Sequence, residues 1–271
     1  MANITQKEYI ELAGFIKKNY GIDLGTKKQE LVMSRLNNVL VQLKMSCFSQ
    51  YFNYITSDPT GNAMVTLVNN ITTNHTFFMR ENDHFLYFKD TVLPYLINTQ
   101  RNKDLRIWSA GCSTGEEPYT LAMIIDDFLG KDKIMWDAKV LATDISSKVL
   151  DIAIKAEYSN EQIAKIPPIW YYNYFNKLKS QNLSIVDKIK NEVIFRKFNL
   201  MDQVFPFKQK FHVIFCRNVM IYFDNDTKYV LTDKFYDLLE PGGYLFIGHS
   251  ESLNRDRTKF KYIKPAIYRK E

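Results

Sequence analysis

The segment Arg106-Ile-Trp-Ser-Ala-Gly-Cys-Ser-Thr-Gly-Glu-Glu-Pro-Tyr119 decides the architecture of this chain. Leu105 to Ser109 reads as a strand, small residues follow, and Pro118 to Leu129 reads as a helix with proline near its first turn. Gly111 and Gly115 let the backbone turn sharply and let a ligand come close. The acids that come next restrict that ligand. A pyrophosphate prefers bare N–H groups at a helix start, and Glu116 and Glu117 would repel it. They suit a cation instead. Read alone, the segment also fits an ordinary strand–helix turn whose acids favour the positive end of the helix.

Downstream, short apolar runs keep alternating with helical stretches. Lys139 to Thr143, His212 to Cys216 and Tyr244 to Gly248 are strand-like; Ser147 to Ala156 and Asp226 to Leu239 are helical. This alternation predicts an α/β fold with a doubly wound, Rossmann-like parallel sheet. Tyr174 to Lys177, Leu183 to Asp187 and Val193 to Phe198 break the rhythm. They read as three short strands of a small antiparallel insert, about 158–199. Upstream, the pattern is helical. Tyr9, Ile10, Leu12, Ala13, Phe15 and Ile16 recur at three- and four-residue spacing and make an apolar stripe behind a capping box of Thr5 and Glu8. Gly21 and Gly25 mark a break, Thr26 with Gln29 offers a second capping box, and Leu31 to Leu43 carries the next helix. A third spans Ser49 to Ile55, before a loop at Asp58 to Gly61. The expected organisation is an all-helical N-terminal domain over 1–70, a linker over 71–90 that contributes to a ligand site, and the sheet domain over 91–271.

Composition narrows the class. The chain has 271 residues, 46% hydrophobic and 24% charged, enough to bury a core without staples. No charged start with an apolar block marks a secretory signal, and no apolar run approaches the roughly 20 residues of a membrane span. Cys47, Cys112 and Cys216 form no C-x-x-C pair, which argues against a disulfide framework or zinc site and fits a reducing cytoplasm. The net charge of +6 suits nucleic acid, anionic lipid or an acidic protein partner, or only a mildly basic surface. Lys28 and Arg35 are seven apart and share a helix face.

Further residues carry chemistry. Asp144 closes the strand Leu141-Ala-Thr-Asp-Ile145, where an acid can accept ribose hydroxyls; it also fits a helix cap. Asn69-Asn-Ile-Thr-Thr-Asn-His-Thr-Phe-Phe-Met-Arg80 is polar before two aromatics and offers many hydrogen-bonding groups. Phe211-His-Val-Ile-Phe-Cys-Arg-Asn-Val-Met-Ile-Tyr-Phe223 is a buried strand ending in Arg217 and Asn218, which should face the cleft and not the core. Tyr222 fits a core aromatic as well as a site residue. A hydrolase reading also exists: Gly111-Cys-Ser113-Thr-Gly115 matches a nucleophile elbow, with Asp202 and His249 in hydrolase order. Acids right after the elbow oppose an oxyanion there. His84 and His212 read as structural, and His75 and His249 as near the cleft.

Together these blocks, with Leu239-Glu-Pro-Gly-Gly-Tyr-Leu-Phe-Ile-Gly-His-Ser-Glu251, resemble the chemotaxis receptor glutamate methyltransferases of the CheR type. The resemblance covers most of the chain; His75 and Met79 are departures within its first block. It implies S-adenosylmethionine as cofactor, S-adenosylhomocysteine as product and no metal. Asn74, Thr76 and Arg80 would line the cofactor pocket, with one or both of Glu116 and Glu117 facing the cofactor. Asp144 would take the ribose, and Asn199 with Leu200 would flank the adenine. Arg217, with Asn218, would lie beside the transferred methyl and Tyr222 nearby. Arg80, Arg217 and Tyr222 are the catalytic candidates. The implied function is methyl transfer to glutamate carboxylates of chemotaxis receptors, giving glutamyl methyl esters in sensory adaptation. The implied partners are the receptors' cytoplasmic signalling helices, with no nucleic acid and no direct membrane insertion. The helical domain would recognise those helices and cover the cofactor cleft. A cofactor-binding module without turnover is the other alternative.

The chemistry asks little of the protein. A glutamate has a pKa of about 4.3, so it is already a nucleophilic anion at neutral pH and needs no strong base. The site must hold it in line with the methyl, within about 3.5 Å. An arginine fork can orient one carboxylate oxygen and leave the other free.

Overall fold

Thr5 begins the first helix through the expected capping box. Its hydroxyl accepts from the Glu8 N–H at 3.3 Å, and the Glu8 carboxylate accepts from the Thr5 N–H at 2.9 Å. Burial alone would raise the Glu8 pKa, but hydrogen bonds from Thr5 and Ser49 hold it at about 2. The computed structural model describes residues 2–26, 28–72 and 75–271. In it, α1 is Gln6–Tyr20, ended by left-handed Gly21, and α2 is Gln29–Gln42. The second capping box does not form. Helix α2 starts after Lys28 with no side-chain cap, and the Gln29 amide donates to the Ile4 carbonyl at 2.8 Å. Helix α3 is Phe48–Ser57. A fourth helix, α4 (Asn62–Ile71), takes up Asn69 and Asn70 from the polar run.

The chain divides into two compact units. The first comprises residues up to His75 with Asn199–Met201 and Tyr222–Lys228. Its interior holds Ile16, Leu36, Leu40, Phe48, Tyr51 and Leu67. Two later segments are strapped to the end of α1. Asp23 N–H donates to the Tyr222 carbonyl at 2.7 Å, Asn199 Nδ2 donates to the Asn19 carbonyl at 2.9 Å, and Lys17 pairs with Asp224 at 2.5 Å. Arg35 is half-buried, and its guanidinium donates to the Ile71 carbonyl at the end of α4. Lys28 and Arg35 therefore do not form one solvated basic face: Arg35 caps a helix end within the unit.

The second unit holds the sheets. Helix α5 (Asn82–Tyr87), a π-turn (Phe88–Val92) and α6 (Leu93–Thr99) lead to β1 (Ile107–Ala110). Then follow α7 (Glu116–Leu129), β2 (Val140–Asp144), α8 (Ser147–Lys155), β3 (Glu157–Tyr158), α9 (Pro168–Tyr174), β4 (Phe175–Lys177), β5 (Leu183–Ile185), α10 (Asp187–Lys190) and β6 (Val193–Lys197). The chain continues through β7 (Phe211–Cys216), α11 (Asn225–Leu238), β8 (Leu239–Ile247), β9 (Lys261–Lys264) and β10 (Ile267–Arg269). The large sheet has the order β6-β2-β1-β7-β8-β10-β9. Strands β6, β2, β1, β7 and β8 run parallel, and β10 and β9 add an antiparallel edge. The fold is the expected doubly wound, Rossmann-like sheet, following an all-helical domain in sequence, with a small antiparallel sheet of order β3-β5-β4.

One strand changes place. Val193–Lys197 pairs in parallel with β2, so it is an edge of the large sheet and not part of the insert. The insert's third strand is Glu157–Tyr158, paired with β5. Trp108 anchors the core of β1. It is fully buried, its Nε1 donates to Thr143 Oγ1 at 2.9 Å, and Phe207, Phe211 and Phe235 pack against it with ring centroids 4.8, 5.3 and 5.5 Å away.

Candidate functional site

Strand order reverses between β1 and β7: the chain first winds from β1 to β2 and β6, then returns to β7 and β8. In such sheets ligands bind outside the carboxyl ends of the strands at this switch point. The residues that follow β1, β2 and β7 all emerge there.

After β1 the backbone folds back. Gly111 and Cys112 N–H groups donate to the Thr143 carbonyl at 2.8 and 2.9 Å. Gly111 has φ 87°, and a Cβ there would strike the Val219 side chain. Gly115 has φ 96°, and its Cβ would lie 2.9 Å from both Tyr158 Oη and Ala153 Cβ. Both glycines are thus required for shape and for space. Ser113 adopts φ 48° between them, and its N–H donates to Asp144 Oδ2 at 2.9 Å. Asp144 Oδ1 accepts from the Ser146 N–H at 3.0 Å. Burial raises the Asp144 pKa against these bonds. Each carboxylate oxygen offers about two acceptor directions, so Asp144 keeps capacity for hydroxyl donors.

The two glutamates diverge. Glu116 is fully buried and turned inward, with Gln162 Nε2 donating to one oxygen at 2.8 Å and the Thr114 hydroxyl to the other at 2.7 Å. Glu117 is half-buried. Its Oε1 accepts from Ser109 at 2.7 Å and its Oε2 from Arg217 NH1 at 3.0 Å. Arg217 NH2 donates to Glu81 Oε2 at 2.9 Å and to the Arg80 carbonyl. The Arg217 side chain is only 3% exposed, and its Nε is buried without a hydrogen-bond partner among the described residues. This corrects the expectation of a cleft-lining arginine: two carboxylates draw the guanidinium inward, and Phe85 covers it at 5.0 Å. Glu81 completes the cluster. Burial would raise its pKa, but the Arg217 charge and the Asn218 amide, 3.1 Å away, bring it below the usual value.

Asp144, Glu117, Arg217 and Asn218 thus stand together on one edge of the sheet. Arg80 and Thr76 are half-buried in the same unit. Asn199, Leu200 and Tyr222 group with the helical unit, and Asn74 lies outside the described residues. The sequence reading missed Glu81, Gln162 and Glu251. Adjacency to Arg80 and to Gly248-His-Ser was their only local signal.

Two other chemistries find little support. The Ser113 hydroxyl is buried with no hydrogen-bond partner among the described residues, so no base sits on it; His249 Nε2 lies 3.0 Å from Asp83 instead. Glu81, His84 and His249 bring possible metal-ligand atoms within 4.8 Å of one another. Both Glu81 oxygens are already held by Arg217 and Asn218, and that guanidinium would repel a dication. The residues do fit a cationic nucleoside. Two glycines give close access, Asp144 has acceptor capacity left, and Glu81, Glu117 and Asp144 exceed the charge of Arg217.

Comparison with known proteins agrees with this geometry. The model of the CheR methyltransferase SAM binding domain matches residues 74–268, and that of the CheR methyltransferase all-alpha domain matches residues 7–72. The chain is 41% identical over 271 residues to a chemotaxis protein methyltransferase of Borreliella burgdorferi, covering 99% of this chain and 95% of that one. It is 37% identical to chemotaxis protein methyltransferase Cher2 of Pseudomonas putida, covering 93% and 94%. It is 33% identical to the chemotaxis protein methyltransferase of Escherichia coli, covering 98% and 91%. A helical domain, a glycine-turned strand–helix loop at the switch point and these matches along nearly the whole chain lead to one assignment: the chain belongs to the CheR methyltransferase family.

Proposed function

We propose that this protein transfers the methyl group of S-adenosylmethionine to glutamate side chains of chemotaxis receptors, forming glutamyl methyl esters. The observation that carries the reading is the buried Arg217, held between Glu117 in the first turn of α7 and Glu81 at the start of α5. It sets an arginine and an excess of acids at the one edge of the sheet where a nucleoside is expected.

When bound, the cofactor supplies an electrophilic methyl group on a positively charged sulfur. The chain's own residues do the rest. Asp144 accepts the ribose hydroxyls. Glu117 gives the cofactor's positive end a counter-charge, a role that Glu116 cannot take while Gln162 and Thr114 hold it inward. Thr76, Arg80 and Asn218 border the same site. Asn74, Asn199, Leu200 and Tyr222 are assigned by the resemblance alone. The substrate carboxylate arrives ionised, so Arg80 need only orient it, while Arg217 sets the charge beside the methyl from its place between Glu117 and Glu81.

The same reading gives the regions their roles. Residues 1–70 recognise the receptor's signalling helices, 71–90 contribute to the cofactor site, and 91–271 catalyse. The free edge of the antiparallel insert accepts a receptor tail by strand addition. The cytoplasm is the compartment where those helices lie, and no helix among the described residues is long and apolar enough to cross a membrane. The test is incubation with methyl-labelled S-adenosylmethionine and receptor membranes. Label on the receptor that mild base releases as methanol supports an ester. Base-stable label, or none, rejects it.

A further inference from the structure

Glu251 is a buried carboxylate beyond the end of β8, only 8% exposed. Its Oε2 accepts from the Asn218 N–H at 3.0 Å and from the Gly248 N–H, and its Oε1 accepts from the Ile221 N–H at 2.9 Å. Those three amides belong to the turns that leave β7 and β8 at the site edge. Burying a charge is costly unless donors compensate, and burial does push the Glu251 pKa up despite all three. Asn218 is left-handed, with φ 60°, a conformation that needs support from its surroundings. The Asn218 amide then donates to Glu81, and Glu81 holds Arg217. Gly248 leaves no slack: a Cβ there would lie 2.5 Å from Asn218 Nδ2, 2.8 Å from Asn218 N and 2.9 Å from Glu251 Oε2.

We infer that Glu251 is a positioning residue for methyl transfer: it clasps the turns after β7 and β8, and so sets Asn218, Glu81 and the guanidinium of Arg217. The inference rests on the methyl-transfer reading above. Among the described residues the Glu251 carboxylate is hydrogen-bonded to the turns after β7 and β8, and it acts through Asn218.

The test uses the full chain with Glu251→Gln. Glutamine keeps the shape but turns one acceptor into a donor facing an N–H. Amide exchange at Asn218, Ile221 and Gly248 should speed up. Turnover on receptor membranes should fall about ten- to a hundredfold, as displaced catalytic groups do. KM for S-adenosylmethionine and affinity for S-adenosylhomocysteine should change far less than turnover, within about threefold, because Asp144 has no bond to the clasp and Glu117 keeps its bond from Ser109. Gly248→Ala keeps the Glu251 side chain but pushes it and Asn218 apart in the same turn, and should split kcat from KM in the same way. It serves also if the glutamine variant does not fold. Faster exchange with wild-type turnover overturns the inference, as does cofactor affinity lost in step with turnover. Absence of receptor label in the wild-type chain would count against the methyl-transfer reading instead; amide exchange still decides whether the clasp exists.

Discussion

Arg217 donates to Glu117 at 3.0 Å, across 100 residues of sequence, and this contact ties the end of β7 to the first turn of α7. A guanidinium at 3% exposure needs its charge balanced, and Glu117 and Glu81 supply that balance. Stability and function therefore meet in one side chain. Arg217→Ala should cost about 3–5 kcal/mol of stability, the usual result of leaving buried charges without a partner. Arg217→Lys keeps the charge and loses the fork. It should fold, yet lose about a hundredfold or more in turnover. Thermal melting with kinetics on receptor membranes checks both, and near-normal turnover in the lysine variant would show that the fork is not used.

Asp144 separates binding from catalysis. Asp144→Asn should weaken S-adenosylhomocysteine binding by at least about tenfold, since hydrogen bonds to a charged group are worth about 1.5–3 kcal/mol each. Its fold should survive, because asparagine retains an acceptor for the Ser113 or Ser146 N–H. Calorimetric titration gives the answer. Unchanged affinity in a folded variant would remove Asp144 from the cofactor's contacts.

Two buried histidines set an acid limit. Burial, with the nearby Arg106 charge, lowers the His212 pKa to about 4, and its neutral Nδ1 accepts from the Arg106 N–H at 2.9 Å. Burial, then the Arg217 charge, lowers His84 to about 3. The unfolded chain binds these protons near pH 6.5, and the folded chain does not. Stability is thus complete above that pH and declines as pH falls toward 4, by about 1.4 kcal/mol per pH unit for each histidine. His212→Asn should flatten the fall between about pH 6 and pH 4. Melting curves across that range test it, and an unchanged slope would mean that His212 carries no such linkage.

Lys28 and Arg35 should now behave differently. Arg35→Ala removes the donor to the Ile71 carbonyl and should cost about 1–2 kcal/mol of stability. Lys28 is exposed, so Lys28→Glu should leave the melting temperature alone and raise KM for receptor about two- to fivefold, only at low salt. Salt-independent kinetics in the Lys28 variant would leave that residue as plain solvated surface.

The parts legible in the sequence were the local ones. The strand–glycine–helix segment around Gly111 and Gly115 dictates its own turn, and Asp144 and Arg217 stand where strands end. Strand periodicity carries no partner, however, so Val193 to Phe198 looked like a neighbour of Leu183 to Asp187 while actually pairing with Val140–Asp144. Glu81 and Glu251 escaped for a related reason. Each is an ordinary surface-type residue until it meets partners 136 and 33 positions away. Lys261-Tyr-Ile-Lys264 gave no strand signal because its charged ends suit an exposed edge. The helix Asn62–Ile71 was hidden by the asparagines at its end, whose polarity read as linker.

The most direct measurement maps the product. Receptor membranes are incubated with the protein and S-adenosylmethionine, digested at mildly acidic pH to preserve esters, and sequenced by mass spectrometry. The expected result is one added methyl group on glutamate side chains of the receptor's cytoplasmic helices, lost after mild base and absent with Arg217→Lys. Methylation confined to lysine, to a chain terminus or to a small molecule, or glutamate esters formed equally well by the Arg217 variant, would contradict it.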